Sequence, residues 1–186
     1  MLKYALLGFL NYKPMTGYDL ENYINISTGN FWHARLSQIY MTLKKLEQDG
    51  LVTSHVEPQE GRPDRRVYTI TEAGRADLSA WLAEPLVELV PGKDPLLLKL
   101  FFARSIGKQA VLTQLRVQLE LHRKQLEVYR RGLPPEAHEI VREQPELKPE
   151  TLFWDATRRF GELYEEARVQ WLEETIARIE AEFNDI

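Results

Sequence analysis

The sequence predicts a mostly α-helical chain in two parts: three helices, a β-hairpin and a further helix, then an all-helical unit. Three observations carry that prediction. Apolar residues recur at three- and four-residue spacing over residues 36–46 and again over 112–129. Two β-like runs, residues 51–56 and 66–70, flank a polar, turn-rich tip. Pro85, Pro91, Gly92 and Pro95 cluster between the halves, which disfavours a continuous helix and marks a connector.

The elements follow in order. A first helix covers about residues 2–12 and ends before Pro14. Thr16 is placed to cap a second helix, with Asp19 in its first turn favouring the positive end of the dipole; Gly29 is expected to stop it. Ser37 is expected to cap a third helix over 38–48, and Gly50 to end it. Leu36, Ile39, Leu43 and Leu46 share one face of that helix. After the hairpin, Thr71 opens a helix that reaches about Trp81. Beyond the connector, Pro95 starts a short apolar helix to Ser105. A longer helix over 108–131 carries Leu112, Leu115, Leu119, His122, Leu126 and Tyr129 at alternating spacings of 3 and 4, a coiled-coil-like seam. A last helix over 150–183 has a stripe of Phe153, Phe160, Tyr164, Ala167, Trp171, Ile176, Ile179 and Phe183. Glu162, Glu165 and Glu166 read as its solvated acidic face.

Composition narrows the function classes. With 44% hydrophobic and 28% charged residues the chain can build a core. The absence of cysteine excludes a disulfide scaffold, a thiolate zinc site and a cysteine nucleophile. The net charge of −4 excludes bulk coating of nucleic acid or anionic lipid, so any DNA contact must come from local patches. Residues 1–84 hold 9 basic and 10 acidic side chains, the remainder 15 and 18, so neither half is basic. The apolar start, broken by Lys3, and the run around Lys99 are both too short to span a bilayer, so a cytoplasmic protein with no membrane partner is expected.

Three helices followed by a hairpin is the order of a winged helix-turn-helix. A helix of about 12 residues fits the major groove, roughly 12 Å wide, while the hairpin tip reaches phosphates or the minor groove. Opposite its apolar face the third helix presents Ser37, Gln38, Met41, Lys44, Lys45 and Gln48, whose hydroxyl, amide and ammonium groups suit base edges and phosphates. The hairpin adds Arg62, Arg65 and Arg66, which can grip phosphates bidentately. Taken singly, each feature also fits a bland reading: a solvated helix face, or a tip paired with Glu57, Glu60 and Asp64.

The residues resemble the PadR family of transcriptional regulators, in its form with a long helical C-terminal domain. The likeness runs through Thr16-Gly17-Tyr18-Asp19-Leu20, Phe31-Trp32, Ser37-Gln38-Ile39-Tyr40, Leu43-Lys44-Lys45-Leu46-Glu47 and Gly50-Leu51-Val52. It continues in Gly61-Arg62-Pro63-Asp64-Arg65-Arg66-Val67-Tyr68 and Thr71-Glu72-Ala73-Gly74, and around Trp171-Leu172-Glu173. Met41 stands where family members often have proline, which bears on the first-turn DNA contact and not on the fold.

The resemblance adds Tyr40 to the DNA face and implies a homodimer on a pseudo-palindromic double-stranded operator, usually repressing. It also implies release by a small, often aromatic effector near the junction of the two parts. Phe31, Trp32, His33, Phe153 and Trp154 are the effector candidates, as aromatic rings with a few polar groups; the same residues also suit plain core or dimer packing. Independently of the resemblance, the long helices carry broad apolar stripes with few partners in one helical unit, which favours self-association over the alternative of an intramolecular helical hairpin.

The expected architecture is a winged helix-turn-helix over 1–84, a connector over 85–94, and an all-α dimerisation and effector-sensing domain over 95–186. No catalytic constellation, metal site or cofactor is expected. The four histidines are not paired at metal spacing, and no phosphate-cradling glycine loop or nucleophile elbow occurs. The alternative is an effector-sensing or protein-interaction module without its own operator, which the acidic net charge favours and the basic hairpin tip opposes.

Overall fold

The computed structural model describes residues 1–28, 32–59, 61, 64–89 and 92–183. The chain forms two compact units, Met1–Leu89 and Val90–Ile186.

The first unit contains α1 (Leu2–Tyr12), β1 (Met15–Thr16), α2 (Gly17–Ser27), α3 (Leu36–Gln48), β2 (Val52–Glu57), β3 (Arg65–Ile70) and α4 (Glu72–Ala83). Its core draws Leu6, Leu7 and Leu10 from α1, Leu20 and Ile24 from α2, and Ile39, Leu43 and Leu46 from α3. Val52, Tyr68 and Ile70 close it from the sheet, and Leu78 from α4. This is the mostly helical winged helix-turn-helix expected. The sheet, however, has three strands in the order β1-β3-β2, all antiparallel. The two-residue β1 pairs Met15 with Tyr68 and Thr16 with Val67. It is too short to leave a period-two pattern, so nothing local announces it.

Caps set the entry angles of the helices. Thr16 Oγ1 accepts from the Asp19 amide at 3.1 Å and the Asp19 carboxylate accepts from the Thr16 amide at 3.0 Å, a reciprocal capping box for α2. Thr28 closes α2 by donating its amide to the Ile24 carbonyl; Gly29, the expected stop, lies outside the described residues. The third helix starts earlier than expected. Arg35, not Ser37, is its N-cap, because Gln38 Oε1 turns back to accept from the Arg35 amide at 3.2 Å; Ser37 is instead exposed on the second helical position. The end of α3 is as read: Gly50 sits at φ 72°, the Leu51 amide reaches the Leu46 carbonyl, and the Gly50 amide reaches that of Glu47. These two bonds make a Schellman motif, which needs the left-handed backbone that glycine tolerates. Thr71 caps α4 by accepting from the Gly74 amide at 3.1 Å.

The second unit contains α5 (Pro95–Phe101), a 3₁₀ turn (Ala103–Ser105), α6 (Lys108–Arg130), α7 (Pro135–Glu143), a second 3₁₀ turn (Pro145–Glu150) and α8 (Thr151–Glu182). Asp94 caps α5, accepting from the Leu96 and Leu97 amides. The helix ends at Phe101, short of the expected Ser105. The helix α7 was not expected; Pro135 enters it at the first position, where a missing amide proton costs nothing. The seam of α6 buries Leu112, Leu115, Leu119, Leu126 and Tyr129 as its spacing predicted.

The helix α8 corrects two expectations. It runs antiparallel to α6, with pairs Arg116–Glu180, Arg123–Glu173 and Arg130–Glu166 as lateral rungs. Its buried face is Gly161, Glu165 and Leu172, backed by Val169, Ile176 and Ile179. Phe153, Phe160, Tyr164 and Ala167, read as one stripe with Trp171, Ile176 and Ile179, are exposed instead. A 32-residue helix can show two apolar faces, and only packing decides which one meets α6. Nor is the acidic face wholly solvated: Glu165 is 7% exposed and its carboxylate is hydrogen-bonded to His122 Nδ1. A carboxylate taken out of water needs such a partner.

Candidate nucleic-acid interface

The buried stripe of α3 leaves its opposite face open. Ser37, Gln38, Tyr40, Met41, Lys44, Lys45 and Gln48 are all exposed. Met41 projects furthest among the apolar ones, at 69% exposure. Tyr40 lies across the start of α2, where a Cβ on Gly17 would stand 2.6 Å from its ring. Gln38 has two duties, since its oxygen caps α3 while the rest of its side chain remains on the exposed face.

Strand alternation parts the two described arginines of the hairpin. Neighbouring residues on a strand point to opposite faces. Arg65 reaches Asp19 at 3.5 Å, and the two side chains keep about 46% and 37% of their exposure. Arg66 is held far more fully. Its Nη2 donates to both Glu47 carboxylate oxygens at 3.2 and 2.9 Å, its Nε donates to Ser54 Oγ at 2.8 Å, and its guanidinium lies 5.7 Å from the centre of the Tyr68 ring. Ser54 in turn donates to Glu47. The Ser54 hydroxyl and then the Arg66 charge hold the Glu47 carboxyl below its ordinary range; burial pushes the Tyr68 phenol up. Arg62 lies outside the described residues.

An open cleft of about 480 Å³ separates the hairpin from the start of α2 and from α3, bordered by Thr16, Tyr18, Asp19, Tyr40, Gln59, Asp64, Arg65 and Arg66. The arrangement offers a polar, cationic helix face with an arginine-bearing hairpin beside it, both suited to a polyanion. Sequence reasoning gave Asp19 only a capping role and gave Glu47 and Ser54 none. The available signal was strand alternation, which puts Ser54, Arg66 and Tyr68 on one side of the sheet.

The expected effector residues are divided between the two units. Trp32 and His33 precede α3 in the first unit, Trp32 half-buried and His33 exposed. Phe153, 63% exposed, and the half-buried Trp154 occupy the first turn of α8 in the second unit. Phe31 lies outside the described residues.

Comparison with known proteins gives these features a context. Residues 6–80 match the transcriptional regulator PadR-like family and residues 93–180 match the virulence activator alpha C-terminal family. The negative transcriptional regulator PadR of Bacillus subtilis is 36% identical over 122 residues; the match spans 64% of this chain and 66% of that protein, just under two thirds of its length. The crystal structure of Bacillus subtilis PadR in complex with operator DNA superposes with a TM-score of 0.79 at 29% identity, covering 96% of this chain and 98% of that one. The same regulator in complex with p-coumaric acid gives 0.73 at 28% identity over 96% and 98% of the two chains. The N-terminal match, the adjoining C-terminal match and the superposition over nearly the whole length agree: this chain belongs to the PadR-like family of transcriptional regulators.

Proposed function

We propose that the chain is a ligand-responsive regulator that acts by binding rather than catalysis: it represses transcription as a homodimer on a pseudo-palindromic operator and leaves the DNA when a small aromatic effector binds. It would work in the cytoplasm, on the nucleoid. Among the described residues no helix is long and apolar enough to cross a membrane. The observation that carries the reading is the exposed polar and cationic face of α3 beside a hairpin that bears arginines. On this reading Ser37, Gln38, Tyr40, Met41, Lys44, Lys45 and Gln48 meet base edges and flanking phosphates, and Arg62 and Arg65 meet the backbone. The structure of the Bacillus subtilis relative with operator DNA supports it.

Self-association is supported by the second unit. Leu152, Phe153, Phe160, Leu163 and Tyr164 are exposed on α8, and Val117, Leu121 and Val128 on α6. A twofold pair would cover that surface and could present two recognition helices about one DNA turn, roughly 34 Å, apart. The relative's complex with p-coumaric acid supports an aromatic effector, for which Trp32, His33, Phe153 and Trp154 remain candidates. Such a compound acts only by binding the DNA-competent and incompetent dimers with different affinity.

Selection of fragments from the source genome by the full chain, followed by fluorescence anisotropy, tests the reading. Lys44→Ala and Gln48→Ala should change which sequences are preferred. No enrichment of any fragment at about 50 mM salt, where phosphate contacts are strongest, would overturn it.

A further inference from the structure

The hairpin's two described arginines differ in how they are held. Among the described residues Arg65 has one ion pair, at 3.5 Å, to a carboxylate about 37% exposed. A DNA phosphate could take Asp19's place there with little structural cost. Arg66 donates from both Nη2 and Nε, and its guanidinium lies over the Tyr68 ring, so it is held by three groups although its side chain is 54% exposed. Its partner Glu47 stands in the last turn of α3, and Ser54 stands on β2, so the network ties the recognition helix to both strands of the hairpin. Delivering Arg66 to a phosphate would strand Glu47 next to the polyanion and break the polar tie between both strands and α3.

We propose that Glu47 and Arg66 form a strut that sets the angle of the hairpin against α3, making both of them positioning residues for operator recognition and leaving the phosphate contact to Arg65. The proposal rests on the DNA-binding reading above. It assigns a role to a carboxylate on the recognition helix, where charge alone predicts only harm. It also removes Arg66 from the expected set of phosphate ligands. Tyr68 supports the strut from below, its ring buried at 4% exposure in the core of the unit.

The sign of one variant separates the strut from a bystander. A carboxylate near DNA with no other role repels phosphate, so neutralising it tightens binding to every sequence. The full chain and the variants Glu47→Gln, Arg66→Ala and Arg65→Ala are compared on the fragment the wild type selects and on a scrambled fragment, from 50 to 200 mM salt. With a strut, Glu47→Gln weakens the selected fragment about two- to fivefold, the range of one partly exposed ion pair, and leaves the scrambled fragment unweakened. Arg66→Ala does the same with the salt slope unchanged, and the double variant is no worse than either single one. Arg65→Ala weakens both fragments and lowers the slope by about 0.9.

In the DNA-free protein, Glu47→Gln speeds amide exchange in β2 and β3 and leaves α1 protected. Tighter or unchanged operator binding by Glu47→Gln overturns the proposal. A slope lowered by Arg66→Ala as much as by Arg65→Ala, or unchanged exchange in the hairpin, also overturns it. If the wild type selects no fragment, the DNA-binding reading falls and the strut with it; wild-type selection combined with any of the other failures sinks the strut alone.

Discussion

Replacing Phe160 by glutamine tests whether the exposed face of α8 is the surface through which the protein pairs. The ring is 63% exposed in the single chain. A phenylalanine buries roughly 200 Å² when fully covered, so about 125 Å² is still available to a partner. At about 25 cal/mol per Å² that is about 3 kcal/mol per chain, or about 6 kcal/mol for a symmetric pair. Area converts poorly to affinity, and covering only half of that surface leaves about 3 kcal/mol, roughly a hundredfold in the dimer dissociation constant. Glutamine keeps the helix propensity and adds no charge, so the loss is of apolar contact alone.

Sedimentation equilibrium at micromolar concentration should therefore show Phe160→Gln largely monomeric with the helical circular dichroism of the wild type. Two results refute the reasoning. If the variant dimerises as the wild type does, pairing lies elsewhere. If it loses its helical signal, Phe160 is part of the chain's own core. Deleting residues 145–186 would not make this distinction, because it also strips Val111, Leu115 and Leu119 of their packing against Leu172.

Three further outcomes are expected. Leu172→Ala removes the fully buried side chain at the centre of the α6–α8 pair and should cost about 2–5 kcal/mol in urea denaturation followed at 222 nm. Gly74→Ala would set a Cβ 2.2 Å from the Leu51 carbonyl oxygen and 2.8 Å from Ile70 Cγ1; the oxygen already accepts from the Thr71 amide and cannot retreat, so a loss of about 3 kcal/mol is expected by the same assay. Acid should loosen the hairpin. The Glu47 carboxyl is held below 4.5, its ordinary value, so the stabilisation it provides is complete above that pH and fades as pH falls through the lowered value. Glu47→Gln should flatten that acid response in amide exchange of β2 and β3; an unchanged response would show another group titrating.

Much of the first unit is written in short-range signals. Thr16 with Asp19, Thr71 with Gly74 and Gly50 after α3 each act within four residues of themselves, and each forms the cap its sequence announces. The α3 stripe is equally local, because a period of 3.6 needs only one helix to be visible. Where two local signals competed, the sequence misled: Ser37 is a good capping residue, but Gln38 reached back to Arg35 and started the helix earlier. The strand β1 left no signal, since two residues cannot display an alternation.

What the sequence by itself determined is the order of the longer elements, the N-caps of α2 and α4, the stop of α3, the polar face of α3 and the seam of α6, all of which depend on neighbours a few positions away. What the tertiary structure alone decided is which partner each side chain meets. Arg65 and Arg66 are adjacent and chemically identical, yet the pleat sends one to Asp19, 46 residues away, and the other to Glu47, 19 away. The long helix α8 carries apolar residues on two sides, and only its packing against α6 turns Leu172 inward and leaves Phe160 outside. Glu165 looks like one more solvated acid until α6 brings His122 to it. Periodicity fixes a residue's direction from its own backbone, whereas a contact needs two backbones brought together, and that placement is decided by the packing of the whole unit.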